Sequence, residues 1–360
     1  MSINDLGLLP PAASPKRHSV MSAKHMSASR DELSICAQVS LRYERLYLLP
    51  WIAYHTLLGF DRIYLYIDDS DHLGPVDPDE QARMLHLLSL PKHMTVYSMA
   101  KLNMSGPTSQ LQHCIWTARK HSVWMGMWDI DEVPAMGLPP AAMPEELRAP
   151  PNLKMLLRSL PNRTAGLLVS RLEFDCGGRE NPLKPPQLEY EEFTRRRCHT
   201  AGGSKVLWRG DSRGTGAGVR PDTFHTLSSH HRSSLREADG SVVRDWSRCC
   251  DNSTDWGWWR GAVGTALAPN GSLTSAAAEL RLHHFITRSA VECRRKARDQ
   301  DRPGAHSWGH AWRVGRDSQE LCACPSQMQC SPESDHHDLS VAQYGPAIRR
   351  EVQRLFGAHA

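Results

Sequence analysis

The sequence predicts an α/β fold with a mainly parallel central sheet and an irregular C-terminal part. Strand-like and helix-like segments alternate between residues 34 and 132, and this order builds parallel sheets through helical crossovers. The apolar run at residues 123–128 has the length of a strand and is typical of a central strand covered on both faces. Acidic clusters follow two of the strands, at 68–71 and 129–132, where ligands bind in such sheets.

The first strand and helix are predicted from short-range patterns. Residues 34–39 form a short apolar run of strand length. From Leu46 to Leu58 apolar residues recur at spacings of three and four, which indicates a helix, and Gly59 stands where a helix ends. The aromatic and β-branched run 62–67 predicts the second strand, which ends in an acidic turn.

The second helix has the clearest start. Asp77 is suited to cap it, Pro78 takes the first helical position and Glu80 follows three residues after the cap. A strand at 94–97, a helix at 108–120 and the apolar strand at 123–128 complete this alternating region.

The remaining elements are more scattered. The sequence predicts a Pro- and Ala-rich linker at 139–152, a helix at 153–160, strands at 166–174 and 279–286, loops at 179–187 and 209–222, and helices at 290–299 and 345–356. We expect three regions: a disordered N-terminal segment (1–32), a main α/β domain (33–310), and a Cys-containing tail with a helix (311–360).

Composition narrows the functional class. A formal charge of +4 over 360 residues, with no dominant basic run, disfavours a nucleic-acid partner. Ten cysteines and four N-x-Ser/Thr sequons among seven asparagines favour a secretory compartment. The printed sequence has no signal peptide and no apolar run that could span a bilayer, so an anchor would lie outside it, and a cytoplasmic location stays open.

The run Asp129-Ile130-Asp131-Glu132 carries the main chemical hypothesis. In an extended segment Asp129 and Asp131 would project to the same side, with Ile130 toward the core. Two such carboxylates repel unless a cation lies between them, and oxygen ligands suit Mg²⁺ or Mn²⁺. An ion there could bind a diphosphate, whereas the simpler interpretation is a solvated acidic turn.

Other polar residues have both a functional and a structural interpretation. Asp68 and Asp69 could contact the base or ribose of a nucleotide, or form an acidic turn. His284 could supply a metal ligand, or be a satisfied strand histidine. Lys205 and the basic helix could hold phosphates, although helix charges are usually solvated.

Two patterns indicate other functions only weakly. The run Gly210-Asp-Ser212-Arg-Gly214 matches the nucleophile elbow of serine hydrolases, but a loop-like stretch follows it where that motif needs a helix. Cys322, Cys324 and Cys330 lack the spacing of a zinc pair, so disulfides are the better interpretation, with pairing left open.

Four blocks of sequence resemble glycosyltransferase family 92 and the related family-2-like enzymes. Residues 44–66 are similar to the family's E-x-x-Y-L-x-E-W-x-x-Y-H-x-x-x-G-x-x-x-x-Y-x-Y, and Gln112, Trp124 and the acidic run are similar to Q-x-x…W-x-x-x-x-D-x-D-E-F. A looser block includes Phe174, Gly177, Phe193, Arg195, Lys205 and His225, and the last, residues 284–289 with Lys296, is similar to H-Y-x-x-K-S…K. Pro50, Ile67 and Val133 depart from the family pattern.

The resemblance implies a GT-A (Rossmann-like) fold that transfers a hexose, such as galactose, from a nucleotide sugar to a glycan or glycoprotein in the Golgi. It further implies a UDP-sugar donor, Mn²⁺ or Mg²⁺, inversion at the anomeric carbon, and His284 as a third metal ligand beside Asp129 and Asp131. The residues expected to contact the donor are Glu44, Asp68, Asp69 and Lys205. The catalytic base, which accepts the proton of the acceptor hydroxyl, is expected to be Glu173, Asp175, Glu191 or Glu192. A non-catalytic carbohydrate-binding relative is the alternative, and the oligomeric state is left open.

Overall fold

The parallel part of the sheet comes first along the chain. The structure is a computed structural model that describes residues 31–68, 77–104, 107–118, 121–136, 150–159, 166–174, 179–194, 204–209, 265–267, 273–274, 280–285, 288–300 and 339–357. The strands are β1 (Asp31–Val39), β2 (Arg62–Ile67), β3 (Met94–Ser98) and β4 (Ser122–Met127). They lie in the order β3-β2-β1-β4, all parallel. Helices α1 (Leu41–Leu57), α2 (Pro78–Ser89) and α3 (Pro107–Ala118) connect them.

The second part of the sheet is mixed. It contains β5 (Glu132–Ala135), β6 (Gly166–Glu173), β7 (Ser204–Arg209), β8 (Thr265–Leu267), β9 (Leu273–Thr274) and β10 (Arg281–His284). From β4 the order continues β7-β6-β10-β5, and only the β6–β10 pair is parallel among these described strands. The α/β class with a parallel sheet is thus confirmed, and the parallel arrangement holds for its first four strands.

Four further helices complete the described elements. They are α4 (Leu153–Ser159), α5 (Glu189–Glu192), α6 (Ala290–Gln300) and α7 (Gly345–Phe356), with a 3₁₀ turn at Ala342–Tyr344 before α7. Helix α7 packs against α1. All described residues belong to one compact unit, Asp31–Ala360. Within them, no helix is both long and apolar enough to cross a membrane.

Local chemistry sets the ends of the first two helices as the sequence predicted. The Asp77 side chain accepts hydrogen bonds from the backbone N–H groups of Asp79 and Glu80, which satisfies donors at the start of α2. Gly59 has φ +96°, in the left-handed region that favours glycine after a helix. A Cβ there would also meet the Asn152 side chain at 2.6 Å.

The core lies between the sheet and α1. Every apolar residue of β1 from Leu33 to Val39 is fully buried, because the strand is covered on both faces. Trp51 and Tyr54 of α1 are also fully buried. On the α3 side, Cys36 and Cys114 form a disulfide with Cα atoms 6.4 Å apart, which ties β1 to α3.

Candidate functional site

The acidic run forms a turn directly after the central strand. Strand β4 ends at Met127, and the Glu132 N–H donates to the Asp129 carbonyl at 3.0 Å. The expectation that Asp129 and Asp131 project together from an extended segment is therefore corrected, because the turn breaks the alternation of side chains. The two carboxylates have different neighbours.

Asp129 faces a buried lysine. Lys205 of β7 is fully buried, and its Nζ lies 2.9 Å from Asp129 Oδ2 and 3.0 Å from Glu132 Oε2. Glu132, also fully buried, accepts a second hydrogen bond from the Asp129 N–H at 2.9 Å. The ammonium group thus offsets the repulsion between these two carboxylates and fixes the turn.

Two aromatic residues of α1 hold the strand that follows the turn. Trp51 Nε1 donates to the Glu132 carbonyl at 3.0 Å, and the Tyr54 hydroxyl donates to the Pro134 carbonyl at 2.7 Å. Both bonds are buried, where hydrogen bonds hold geometry firmly. Trp51 and Tyr54, which belong to the family-like block 44–66, therefore connect α1 to the strand that follows the acidic run. Their spacing in the sequence did not predict this role.

Strand β10 brings a histidine to Asp131. His284 lies opposite Glu132 in the antiparallel β5–β10 pair, and the Phe285 N–H donates to the Asp131 carbonyl at 2.8 Å. His284 Nε2 then lies 3.7 Å from Asp131 Oδ1, with both side chains almost buried. The structure thus places these two predicted ligands side by side, although they are 153 residues apart in sequence.

A cavity opens beside Asp131, on the side of α1 and α6. Its volume is about 160 Å³. Its lining residues are Arg42, Tyr43, Arg45, Leu46, Asp131, Pro182, Arg288, Glu292, Cys293 and Arg295. Four arginines against two carboxylates give this wall an excess of positive charge, which favours an anionic ligand next to Asp131.

One of these arginines is held in a buried network. Arg288 Nε donates to Glu189 Oε2 at 3.1 Å, and its guanidinium carbon lies 3.7 Å from the centroid of the Tyr47 ring. The Tyr47 hydroxyl donates to Glu292 Oε1 at 2.6 Å. Burial opposes the charge on Arg288, but Glu189 and Asp131 outweigh it, so the pKa of the guanidinium is raised. Arg288 therefore stays cationic.

Asp131 and His284 fit the protein share of a divalent metal site. Among the residues that the structure describes, no three His, Cys, Asp or Glu side chains form a complete metal cluster. Divalent ions at phosphate sites usually take only one or two carboxylates from the protein, and substrate phosphates complete the shell. Asp131 supplies such a carboxylate beside a cavity that favours anions, and His284 would add a nitrogen ligand 3.7 Å from it.

The other predicted site residues lie at several places. Glu44 Oε2 accepts from the Ser40 N–H at 2.7 Å and so closes the first turn of α1. Asp68, at the end of β2, accepts from Gln38 Nε2 at 3.3 Å. Glu192 pairs with Arg179 and accepts from Gln187 Nε2 at 3.1 Å.

Three predicted positions are only partly described or not described. Glu173 ends β6 with its backbone opposite His284, and its side chain lies outside the description. Asp69 and Asp175 lie outside the described residues, as do the hydrolase-like run 210–214 and the cysteines at 322–330. The roles assigned to them stay predictions.

Sequence reasoning missed Glu189, Arg288 and the arginines of α1. Arg288 lies inside the family-like block 284–289, and this position was the one indication in the sequence that it could have a function. Its burial depends on Tyr47 and Glu189, which are distant in sequence. Glu189 stands in an acidic run at 189–192 and carries no mark that separates it from its neighbours.

The comparisons with known proteins agree with the resemblance in the sequence. Residues 31–149 match the model of glycosyltransferase family 92. A glycosyltransferase family 92 protein of Arabidopsis thaliana is 26% identical over 158 residues, 44% of this chain and 25% of the relative. Another, of Ricinus communis, is 29% identical over 105 residues, 29% of this chain and 17% of the relative. The resemblance to family 92 is thus confirmed for this region.

The chain spans at most a quarter of the length of either of these relatives. A solved galactosyltransferase, LgtC in complex with donor and acceptor sugar analogues, aligns over 83% of this chain and 98% of its own. The identity is 10% and the TM-score is 0.27.

Proposed function

We propose that this chain, whose residues 31–149 match the family 92 glycosyltransferase model, transfers a sugar from a nucleotide-sugar donor to a hydroxyl acceptor. The observation that carries the proposal is the meeting of Asp131, His284 and an arginine-rich cavity directly after the central strand β4. In sheets of this kind, ligands bind outside the carboxyl ends of the parallel strands.

The charge pattern of the cavity suits a diphosphate with a bound cation. Asp131 and His284 would hold Mn²⁺ or Mg²⁺, and Asp129, the third predicted ligand, is paired with Lys205. The ion would neutralise charge on the departing nucleoside diphosphate. The arginines that line the cavity would take phosphate oxygens, because guanidinium groups match their geometry. Lys205 keeps Asp129 and Glu132 in place and so fixes the backbone that carries Asp131.

An inverting transfer also needs a carboxylate that accepts the proton of the acceptor hydroxyl. Glu173 is the best placed by its backbone, since β6 sets it opposite His284. Glu192 is held by Arg179 and Gln187, and Asp175 follows β6 two residues after Glu173. Glu191, the fourth, binds Arg349 through both of its oxygens. We keep all four as candidate bases.

The compartment and the substrates belong to the same proposal. We assign a UDP-hexose donor, a glycan or glycoprotein acceptor and a membrane-associated, secretory location such as the Golgi. The Cys36–Cys114 disulfide supports an oxidising compartment, and Asn103, in the sequon 103–105, is exposed.

A donor screen tests the proposed function. The purified protein is incubated with a panel of UDP- and GDP-sugars, with Mn²⁺ or with EDTA, and release of the nucleoside diphosphate is measured. We expect hydrolysis of one donor class with Mn²⁺ and its loss in EDTA. A folded protein that binds sugars but turns over no donor would instead be a non-catalytic relative.

A further inference from the structure

We infer that Arg288 binds an anionic, phosphate-class group in the cavity, and that Glu189 is the positioning residue that orients it. The identity of the ligand rests on the proposed function, which supplies a nucleoside diphosphate. The placement of the Arg288 and Glu189 side chains does not depend on the proposed function.

Arg288 is almost fully buried yet lines the cavity. Only 7% of the residue is exposed. Its Nη2 makes no hydrogen bond within the part of the chain that the structure describes. A buried charged donor without an acceptor is costly, so a ligand oxygen in the cavity is the natural partner for this atom.

The pairing with Glu189 leaves this donor available. Arginine can bind a carboxylate through two parallel N–H bonds, but here a single bond joins Nε to Glu189 Oε2. Stacking on Tyr47 fixes the plane of the guanidinium group. Glu189 thus holds Nε, and the hydrogens of Nη2 remain for a ligand.

The backbone of Arg288 is strained in a way that supports a specific placement. Its φ is +46°, which is uncommon for a residue with a side chain. Ser289 follows directly and caps α6, with its hydroxyl 2.6 Å from Glu292 Oε2. Such strain persists where the surrounding contacts fix a residue, often at ligand sites.

Asp131 belongs to the same wall. It lines the cavity together with Arg288, and its charge stabilises the guanidinium cation. A cation at Asp131 and an anion at Arg288 would therefore occupy one cavity, as a metal-bound diphosphate does.

Binding of UDP and GDP with Mn²⁺, measured by calorimetry, tests the inference. We expect Arg288→Met to weaken binding about 10- to 100-fold, the usual effect of a lost hydrogen bond to a charged group. Arg288→Lys should restore part of the binding. Glu189→Gln should raise the donor KM with little change in kcat, since it acts through Arg288.

Glu32→Gln is the matched control. It removes a carboxylate that binds Arg158 through both oxygens at the start of β1, the opposite end of that strand from the site. It should leave UDP and GDP affinity unchanged. Thermal unfolding of every variant separates lost binding from lost folding.

The outcomes separate the two proposals. If the wild-type protein binds neither UDP nor GDP and turns over no donor, the proposed function fails. If the wild type binds one of them and a folded Arg288→Met binds it equally well, the inference is overturned. If Glu189→Gln does not fold, the UDP and GDP affinities of Arg288→Lys and Arg288→Met are compared instead. Higher affinity in Arg288→Lys supports a role for the positive charge at this position, and equal affinity contradicts it.

Discussion

At the scale of single residues, the site is ordered by long-range pairs of charges. Lys205, Asp129 and Glu132 form one buried set, and Arg288 with Glu189 forms another. Each cation lies on a different element of the chain from its carboxylate partners. The geometry of the acidic run therefore depends on contacts that are distant in sequence. This is why the sequence predicted which residues form the run but not that Asp129 and Asp131 face different neighbours.

Lys205→Met should destabilise the fold by about 3–5 kcal/mol, because it leaves a buried carboxylate without its cation. Urea unfolding measures the change. The control, Lys154→Met, removes a lysine that pairs with the partly exposed Asp61 and should cost about 1 kcal/mol or less. Equal losses in the two variants would contradict the buried role of Lys205.

At the scale of elements, α1 connects the core to the site. Its buried face contains Trp51 and Tyr54, which bind the strand after the acidic run, and His55, whose ring lies 3.8 Å from the Trp51 ring. The helix was predicted from apolar spacing and its end from Gly59, since both signals are local. The hydrogen bonds from its aromatic residues to β5 cross about 80 residues of sequence and carry no local signal.

His55 should make stability depend on pH. Burial lowers its pKa from 6.5 to about 3, so the folded protein keeps the ring neutral where the unfolded chain takes a proton. The free energy of unfolding should therefore fall as pH drops from about 6.5 toward 3, with a contribution of about 1.4 kcal/mol per pH unit.

Denaturant unfolding gives the free energy of unfolding of the wild type and of His55→Phe between pH 7 and pH 4. The difference between the slopes of the two free energies against pH is the contribution of His55. The variant lacks the titrating group and keeps an aromatic ring at that position. Parallel curves for the two proteins would show that burial does not perturb His55.

At the scale of the whole molecule, the two parts of the sheet differ in how far sequence determines them. The parallel direction of the first four strands follows from the alternation of strands and helices, which the sequence predicted, whereas their order, β3-β2-β1-β4, was not predicted. The mixed part pairs β4 with β7 and β5 with β10, which are separated by long stretches of chain. In this part the sequence predicted β6 and β10 but not β5, β7, β8 or β9. It also could not predict the pairing of β5 with β10, which brings His284 to Asp131.

The Cys36–Cys114 disulfide should stabilise the parallel part. Its two cysteines are 78 residues apart, a separation for which loop entropy predicts about 4.5 kcal/mol of stabilisation. Unfolding of wild type is compared with that of the double variant Cys36→Ala/Cys114→Ala, and peptide mapping tests the linkage. Free thiols at both positions in protein made in an oxidising host would contradict the bond.

The measurement that tests the central claim most directly is donor turnover by Asp131→Asn with Mn²⁺ present. Asp131 touches both His284 and the arginine-rich cavity, so the variant should keep its fold and lose turnover by two orders of magnitude or more, on the order of a lost transition-state contact. The control Asp79→Asn, on the exposed start of α2, should retain full activity. Full activity in a folded Asp131→Asn variant would contradict the account.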